Sequence, residues 1–252
     1  MKQRTIQRFQ GSRPLQRGAS LIVVMVILIL GTIVVVGSTR LGWLNEIAVS
    51  SESDHQRAFA AAEALVRDAE RDIRGRQLNS AAPCVNDPAY VGCRNFGAGR
   101  PFFPQDDDDL DLLSARLIAG GGVKNCLQGI CLPPNVNDLS KADWGTDADV
   151  AAMTAGVGAA AIPATYGAYT GAAPVAAGNP LLSANPARGW YWVEVFRYSD
   201  AAGIIAAAGN VPIPDKKSPF VYRITAYVQG LKGGTRVWLR SIFVPAPQNQ
   251  ST

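Results

Sequence analysis

The chain has 252 residues, with 24 Lys and Arg against 20 Asp and Glu, one His and four Cys. That length suits one membrane helix and one globular domain, not two enzymes end to end. The formal charge of +4 is unevenly placed: Lys2, Arg4, Arg8, Arg13 and Arg17 stand before Gly18 with no acid among them, so 19 basic residues face 20 acidic ones in the rest. A nearly neutral body removes the case for nucleic acid as a partner, which requires a basic face to neutralise phosphates.

From Ala19 to Thr39 run 21 uncharged, mostly branched apolar residues. At about 1.5 Å per residue, a helix of that length spans roughly the 30 Å of bilayer hydrocarbon. A cluster of Lys and Arg on one flank stays in the cytoplasm, so everything after Arg40 is expected outside. An ordinary secretory signal has an apolar core of about 7 to 15 residues followed by a small-residue cleavage site. Here the run is too long, and VVVGSTRLGW leads straight into more helix. A plain signal anchor fits the length but leaves the Gly at the junction unexplained.

The stretch RGASLIVVMVILIL resembles the class III leader of type IV pilins and pseudopilins. The resemblance implies a leader over 1–18, cut between Gly18 and Ala19 by a prepilin peptidase on the cytoplasmic side. Residues 19–39 then remain as the N-terminus of the mature protein, first as a membrane anchor and later in a fibre core. The family places Glu at the fifth mature position, whereas this chain has Val23. That departure points to PilX-type minor pilins, or to the K-type pseudopilin of type II secretion, which often lack the Glu.

Residues 40–76 read as an amphipathic continuation of the same helix. Leu44, Ile47, Ala48, Ala58, Phe59, Ala62, Leu65, Val66, Ala69 and Ile73 recur at three- and four-residue steps, with charges on other faces. Glu63 with Arg67 and Glu70 with Arg74 are spaced for exposed ion pairs, and Gly75, Asn79 and Pro83 end the pattern. His55 is expected to be solvated or at an interface. HQRAFAAAEALVRDAERDIR, 55–74, resembles a second PilX-type signature.

Residues 77–252 form the expected exported head. Cys84, Cys93, Cys126 and Cys131 lack the C-x2-C spacing and His partners of zinc sites, so disulfides in an oxidising compartment are expected. Of the three possible connectivities, the local pairs Cys84–Cys93 and Cys126–Cys131 close the shortest turn-rich loops. Residues 76–189 read as irregular, with an Ala/Gly-rich insertion near 148–189, expected as a surface loop with a short helix near 147–155. Gly156 and Gly158 mimic a dinucleotide fingerprint without its strand or its acid. Asp106, Asp107, Asp108 and Asp109 with Asp111 offer hard oxygen ligands for calcium, as do Asp143, Asp147 and Asp149, but adjacent residues do not converge on one ion, and a solvated acidic loop is expected instead.

Strand patterns appear in WYWVEVFRY, 190–198, with both faces apolar, and in FVYRITAYVQ, 220–229, and TRVWLRSIFV, 235–244, which flank the turn GLKGG as an antiparallel hairpin. The hairpin YRITAYVQGLKGGTRVWLRSIFV resembles the PilX-type ending. The expected fold is α+β and type IV pilin-like: a long N-terminal membrane-spanning helix packed on a C-terminal antiparallel sheet, with irregular disulfide-containing loops. No catalytic constellation, cofactor motif or metal-ligand set is present. The resemblance therefore implies a non-enzymatic minor pilin that primes pilus assembly at the inner membrane and sits at the extracellular tip. There it would support adhesion and twitching motility, with other minor pilins, the major pilin and a tip adhesin as partners. The alternatives are the K-type pseudopilin and a single-pass anchored binding domain.

Overall fold

A computed structural model describes residues 19–75, 94, 101–120, 125–133, 147–156, 160–175, 178–198, 214, 216 and 218–245. The element order is α1 (Ala19–Arg74), α2 (Asp107–Ala119), β1 (Cys126–Leu127), β2 (Ile130–Cys131), α3 (Asp147–Met153), β3 (Gly189–Arg197), β4 (Phe220–Gln229) and β5 (Arg236–Phe243). The chain divides into two units, residues 1–50 and 51–252.

In the first unit, α1 carries exposed apolar side chains from Leu21 to Val49 and is long and apolar enough to cross a membrane. Its hydroxyls are spent internally: Thr32 donates to the Ile29 carbonyl, Ser38 to that of Val34, and Thr39 to those of Val35 and Val36. These three hydroxyl donors then do not face an apolar surrounding unbonded.

The second unit is built on a five-stranded sheet in the order β1-β2-β3-β4-β5. β3, β4 and β5 form the antiparallel part, as expected. β2 adds to β3 in parallel, Ile130 beside Val193 and Cys131 beside Glu194, which makes the sheet mixed. The parallel pairing is possible because the long connection 132–188 carries the chain round between the two strands. β3 and β4 are buried on both faces, whereas the edge strand β5 alternates, with Val237 and Phe243 buried and Arg236, Trp238, Arg240 and Ile242 exposed.

One face of the sheet receives the last turns of α1. Ala58, Ala61, Ala62, Leu65, Val66, Ala69 and Ile73 are buried there. The small side chains let the helix approach so closely that a Cβ at Gly189 would touch Leu65 Cδ1 at 3.0 Å. Phe59, expected on this face, is 42% exposed, because it lies one residue, or about 100° of helix, beyond the Ala58 stripe. Glu63–Arg67 and Glu70–Arg74 form the expected four-residue pairs at 3.8 and 3.9 Å.

The stretch expected to be irregular contains more order than its composition suggests. Asp106 caps α2 by accepting from the Asp109 N–H, and Asp109 reaches back to accept from the Gln105 N–H. Asp107, Asp108 and Asp109 occupy the first turn, where carboxylates complement the helix dipole. The acidic run thus starts a helix and is not a loop. The Ala/Gly-rich segment is likewise no surface loop: Ile162, Ala164, Thr170, Ala172 and Leu181 are buried, and Ala164 exchanges both backbone hydrogen bonds with Tyr191 of β3.

The disulfide Cys126–Cys131 joins a directly opposed pair of β1 and β2, with Cα atoms 4.1 Å apart. Between them Gln128 and Gly129 both have positive φ, 51° and 75°, the geometry of a type I′ hairpin turn. Cys84 and Cys93 lie outside the described residues. A side chain at Gly129 meets Ala164, with Cβ to nitrogen at 2.9 Å. Gly129→Ala is therefore expected to lower stability by at least about 1–2 kcal/mol, measured by chemical denaturation of the purified protein, with the disulfide intact by mass.

Candidate functional site

A stripe along the second half of α1 reads Asp54, Ala58, Ala61, Leu65, Asp68 and Asp72, at steps of four and three. Those steps keep all six on one helix face. All six are buried, so three carboxylates lie on the face that packs inward. Each one binds a different part of the head.

Asp54 accepts the N–H groups of Leu231 and Lys232, both at 3.0 Å, and so holds the β4–β5 turn. Gly230 is required beside it, because a Cβ there would collide with Asp54 Oδ2 and lie 2.6 Å from Thr235 Cβ. Arg188 Nη1 donates to the Gly230 carbonyl at 2.6 Å from the other side. One turn further along α1, Asn179 Nδ2 donates to the Arg57 carbonyl at 2.6 Å.

Asp68 accepts the Gly167 N–H at 2.7 Å and a short hydrogen bond from the Thr170 hydroxyl. It thereby clamps TYGAYT, 165–170, within the Ala/Gly-rich segment. Gly167 has φ of 76°, a conformation that side-chain-bearing residues avoid.

Asp72 makes the most connections. Arg94 Nε donates to Oδ1 at 2.8 Å and Arg94 Nη2 to Oδ2 at 2.7 Å, a two-pronged pair with both side chains buried. The Tyr191 hydroxyl donates to Oδ2 at 3.0 Å, and Arg94 Nη2 also donates to the Gln128 carbonyl at 3.0 Å. The guanidinium lies over the Tyr169 ring at 3.7 Å and near that of Phe103 at 5.1 Å. One ion pair thus joins α1, the 101–104 segment, the β1–β2 turn, the 165–170 loop and β3.

The three carboxyls differ electrostatically. At Asp54, burial pushes the carboxyl up, but the Lys232 and Leu231 N–H groups, the Thr235 hydroxyl and the Arg57 charge together bring it below its ordinary value. At Asp68, burial pushes the carboxyl up beyond what its hydrogen bonds from Thr170 and Gly167 offset. At Asp72, burial also pushes up, against the pull of Arg94 and Tyr191. Burial, with Asp72 nearby, drives the Tyr191 phenol well above its usual range, so it stays a donor.

On the opposite face of the sheet, Glu194 and Arg223 are register partners of β3 and β4, bonded at 2.5 and 2.6 Å, with Arg223 5.3 Å from the Phe196 ring. This buried pair holds the two central strands in one register. These arrangements position and join segments; they do not activate a nucleophile.

Of the residues singled out in the sequence, Gly18 lies outside the described residues, as do Cys84, Cys93 and Asp143. Ala19 opens α1, and Val23 stands in it, 55% exposed. Cys126 and Cys131 form their disulfide. His55 is exposed on α1, and Asp147 and Asp149 fall within α3. Sequence reasoning missed Asp54, Asp68 and Asp72, having placed the helix charges on faces other than the apolar one, and Arg94, which lies in the stretch read as irregular. The available signal was the four- and three-residue spacing that carries the three aspartates into the alanine stripe.

Removing one partner of a buried ion pair leaves the other uncompensated. Asp72→Ala is expected to cost about 3–5 kcal/mol, and Asp72→Ala with Arg94→Met less than the sum of the two single changes, read by denaturant unfolding.

The pH dependence has opposite signs at two sites. The Asp54 contribution is present above the unfolded value of 3.8 and lost as pH falls through its lower folded value. Asp68, with a folded value above 3.8, loses stability as pH rises from 3.8 through that value. Measured from pH about 3 to 7, the stability difference between the parent and Asp54→Asn should grow with pH, and that between the parent and Asp68→Asn should shrink.

Two family descriptions match the chain: PilX N-terminal over residues 17–67, and type IV pilus assembly protein PilX C-terminal over residues 127–245. No curated protein and no solved structure matches it significantly. The N-terminal match spans Gly18, Ala19, the apolar helix and Asp54; the C-terminal match runs from the β1–β2 turn through the Ala/Gly-rich segment to the end of β5. The two lie in the order the fold requires, and together they cover about two thirds of the chain, which belongs to the PilX family of type IV pilus assembly proteins.

Proposed function

We propose that this minor pilin primes fibre polymerisation at the inner membrane and then resides at or near the pilus tip, supporting adhesion and twitching motility. The observation that carries the location is Val23. In a fibre whose apolar helices pack together, each buried N-terminal ammonium needs a counter-charge, because an unpaired buried charge costs several kcal/mol. Pilins supply it from a Glu at the fifth mature position of a neighbour. A subunit with Val23 leaves one neighbour's amine unpaired at every repeat along a shaft, and is tolerable at the end assembled first. Its partners are then Glu-bearing minor pilins, the major pilin and a tip adhesin. Its role is structural, with no catalysis of its own.

The same reading makes residues 1–18 a leader removed by prepilin peptidase, residues 19–39 the membrane and fibre-core segment, and residues 77–252 the head. Intact mass should place the mature N-terminus at Ala19 with a methylated amine, and a bulky charged residue at Gly18 should leave the precursor uncut. Immunogold labelling should mark pilus ends at very few copies. Decoration along the shaft, or sheared pili containing the chain at the level of the major subunit, would overturn the location. Deletion should abolish surface pili; loss of secreted exoproteins with pili intact would instead assign it to a secretion pseudopilus.

A further inference from the structure

A cleft of about 660 Å³ lies beside the start of β3, between the Gln128 turn, residues 154–156 and 161–169, and residues 184–190. Its size falls within the roughly 300–1,000 Å³ of small-molecule sites. The walls are fixed by main-chain bonds. Gln128 N–H donates to the Ala161 carbonyl at 2.7 Å, Gly129 N–H to that of Ile162 at 2.8 Å, and Ala164 pairs with Tyr191. Asp68 anchors the Gly167 backbone behind the cleft. The indole of Trp190 is stacked on Tyr227 with ring centroids 5.8 Å apart, and the Tyr169 ring is held by the Arg94 guanidinium.

The lining chemistry is selective. Among the described residues that line it there is no Asp, Glu, Lys, Arg or His. Two aromatic rings, Trp190 and Tyr169, stand with the rings of Pro163 and Pro186 and with neutral hydrogen-bonding groups, among them the Asn185 amide and the Thr165 hydroxyl. A charged ligand would lose water without meeting a counter-charge. A wholly apolar ligand would leave amide and hydroxyl groups without partners. A pyranose satisfies both constraints: the C–H bonds of one sugar face meet the negative face of an aromatic ring, while its hydroxyls exchange hydrogen bonds with amides and hydroxyls that both donate and accept.

We propose that this cleft binds a short neutral saccharide. The inference goes beyond the assembly role and requires neither tip location nor a fibre.

The test uses the full chain, purified in a detergent without a sugar headgroup. It is titrated with neutral di- and trisaccharides of glucose, galactose, mannose and N-acetylglucosamine, and with glucuronate- and sialate-bearing counterparts. Binding is read by saturation-transfer NMR and calorimetry. At least one neutral saccharide is expected to bind, and the charged counterparts more weakly. Asn185→Ala and Thr165→Val should each weaken that binding by about five-fold or more, with circular dichroism unchanged. Asn185 is exposed, so its truncation leaves the core intact even where a change at buried Trp190 does not. Absence of neutral-saccharide binding up to about 10 mM, preference for a charged ligand or a peptide, or binding that both variants leave unaltered would overturn the proposal. Immunogold location is independent of each of these outcomes.

Discussion

The head is organised around the Asp72–Arg94 ion pair. Taking two charges out of water costs several kcal/mol each, and their attraction repays it only when geometry and additional hydrogen bonds are good. Here the geometry is good and most of the hydrogen-bonding capacity is used, with Arg94 Nη1 left buried without a partner among the described residues. The guanidinium meets the carboxylate with two prongs, the Tyr191 hydroxyl and the Gln128 carbonyl take up further capacity, and two aromatic rings lie against the cation. Five chain segments must be in place for this to be so. A misdocked loop would leave a buried charge partly unsatisfied, which makes the pair a discriminator between correct and incorrect packing as well as a contact.

α1 meets two different demands with two compositions. Its first part is branched and apolar, exposes that surface throughout and keeps its hydroxyls bonded to its own carbonyls. Its last part is rich in alanine, which brings the backbone close to the sheet, and it sets aspartates where irregular chain needs anchoring. An Ala/Gly-rich segment has little apolar area to bury and much backbone entropy to lose. Main-chain bonds to β3, the Asp68 clamp and the Asn179–Arg57 contact supply the order that side-chain burial cannot.

The same clamps connect architecture to function. Within the second unit, loops are tied to the last turns of α1 by buried carboxylates. The cleft beside β3 is a product of that arrangement, since two of its walls are the turn whose Gln128 carbonyl accepts from Arg94 and the loop that Asp68 holds. A site of this kind can vary its lining without altering the helix that carries it.

Local chemistry determined much of this protein. The charge-free run after Gly18, the amphipathic continuation and the i,i+4 pairs need only helical periodicity. β3, β4 and β5 need only alternation and a Gly-rich turn, so they fall within one residue of where their patterns place them. The Cys126–Cys131 bridge follows from a spacing that closes one short loop. What tertiary structure alone decided has a common cause, the partner distant in sequence. Asp68 meets Thr170, Asp72 meets Arg94 and Tyr191, and Asp54 meets the β4–β5 turn. Periodicity assigns a charged residue to water unless the group that will bury and satisfy it is already known. The parallel docking of β2, the burial of the Ala/Gly-rich segment and the walls of the cleft depend in the same way on partners distant in sequence.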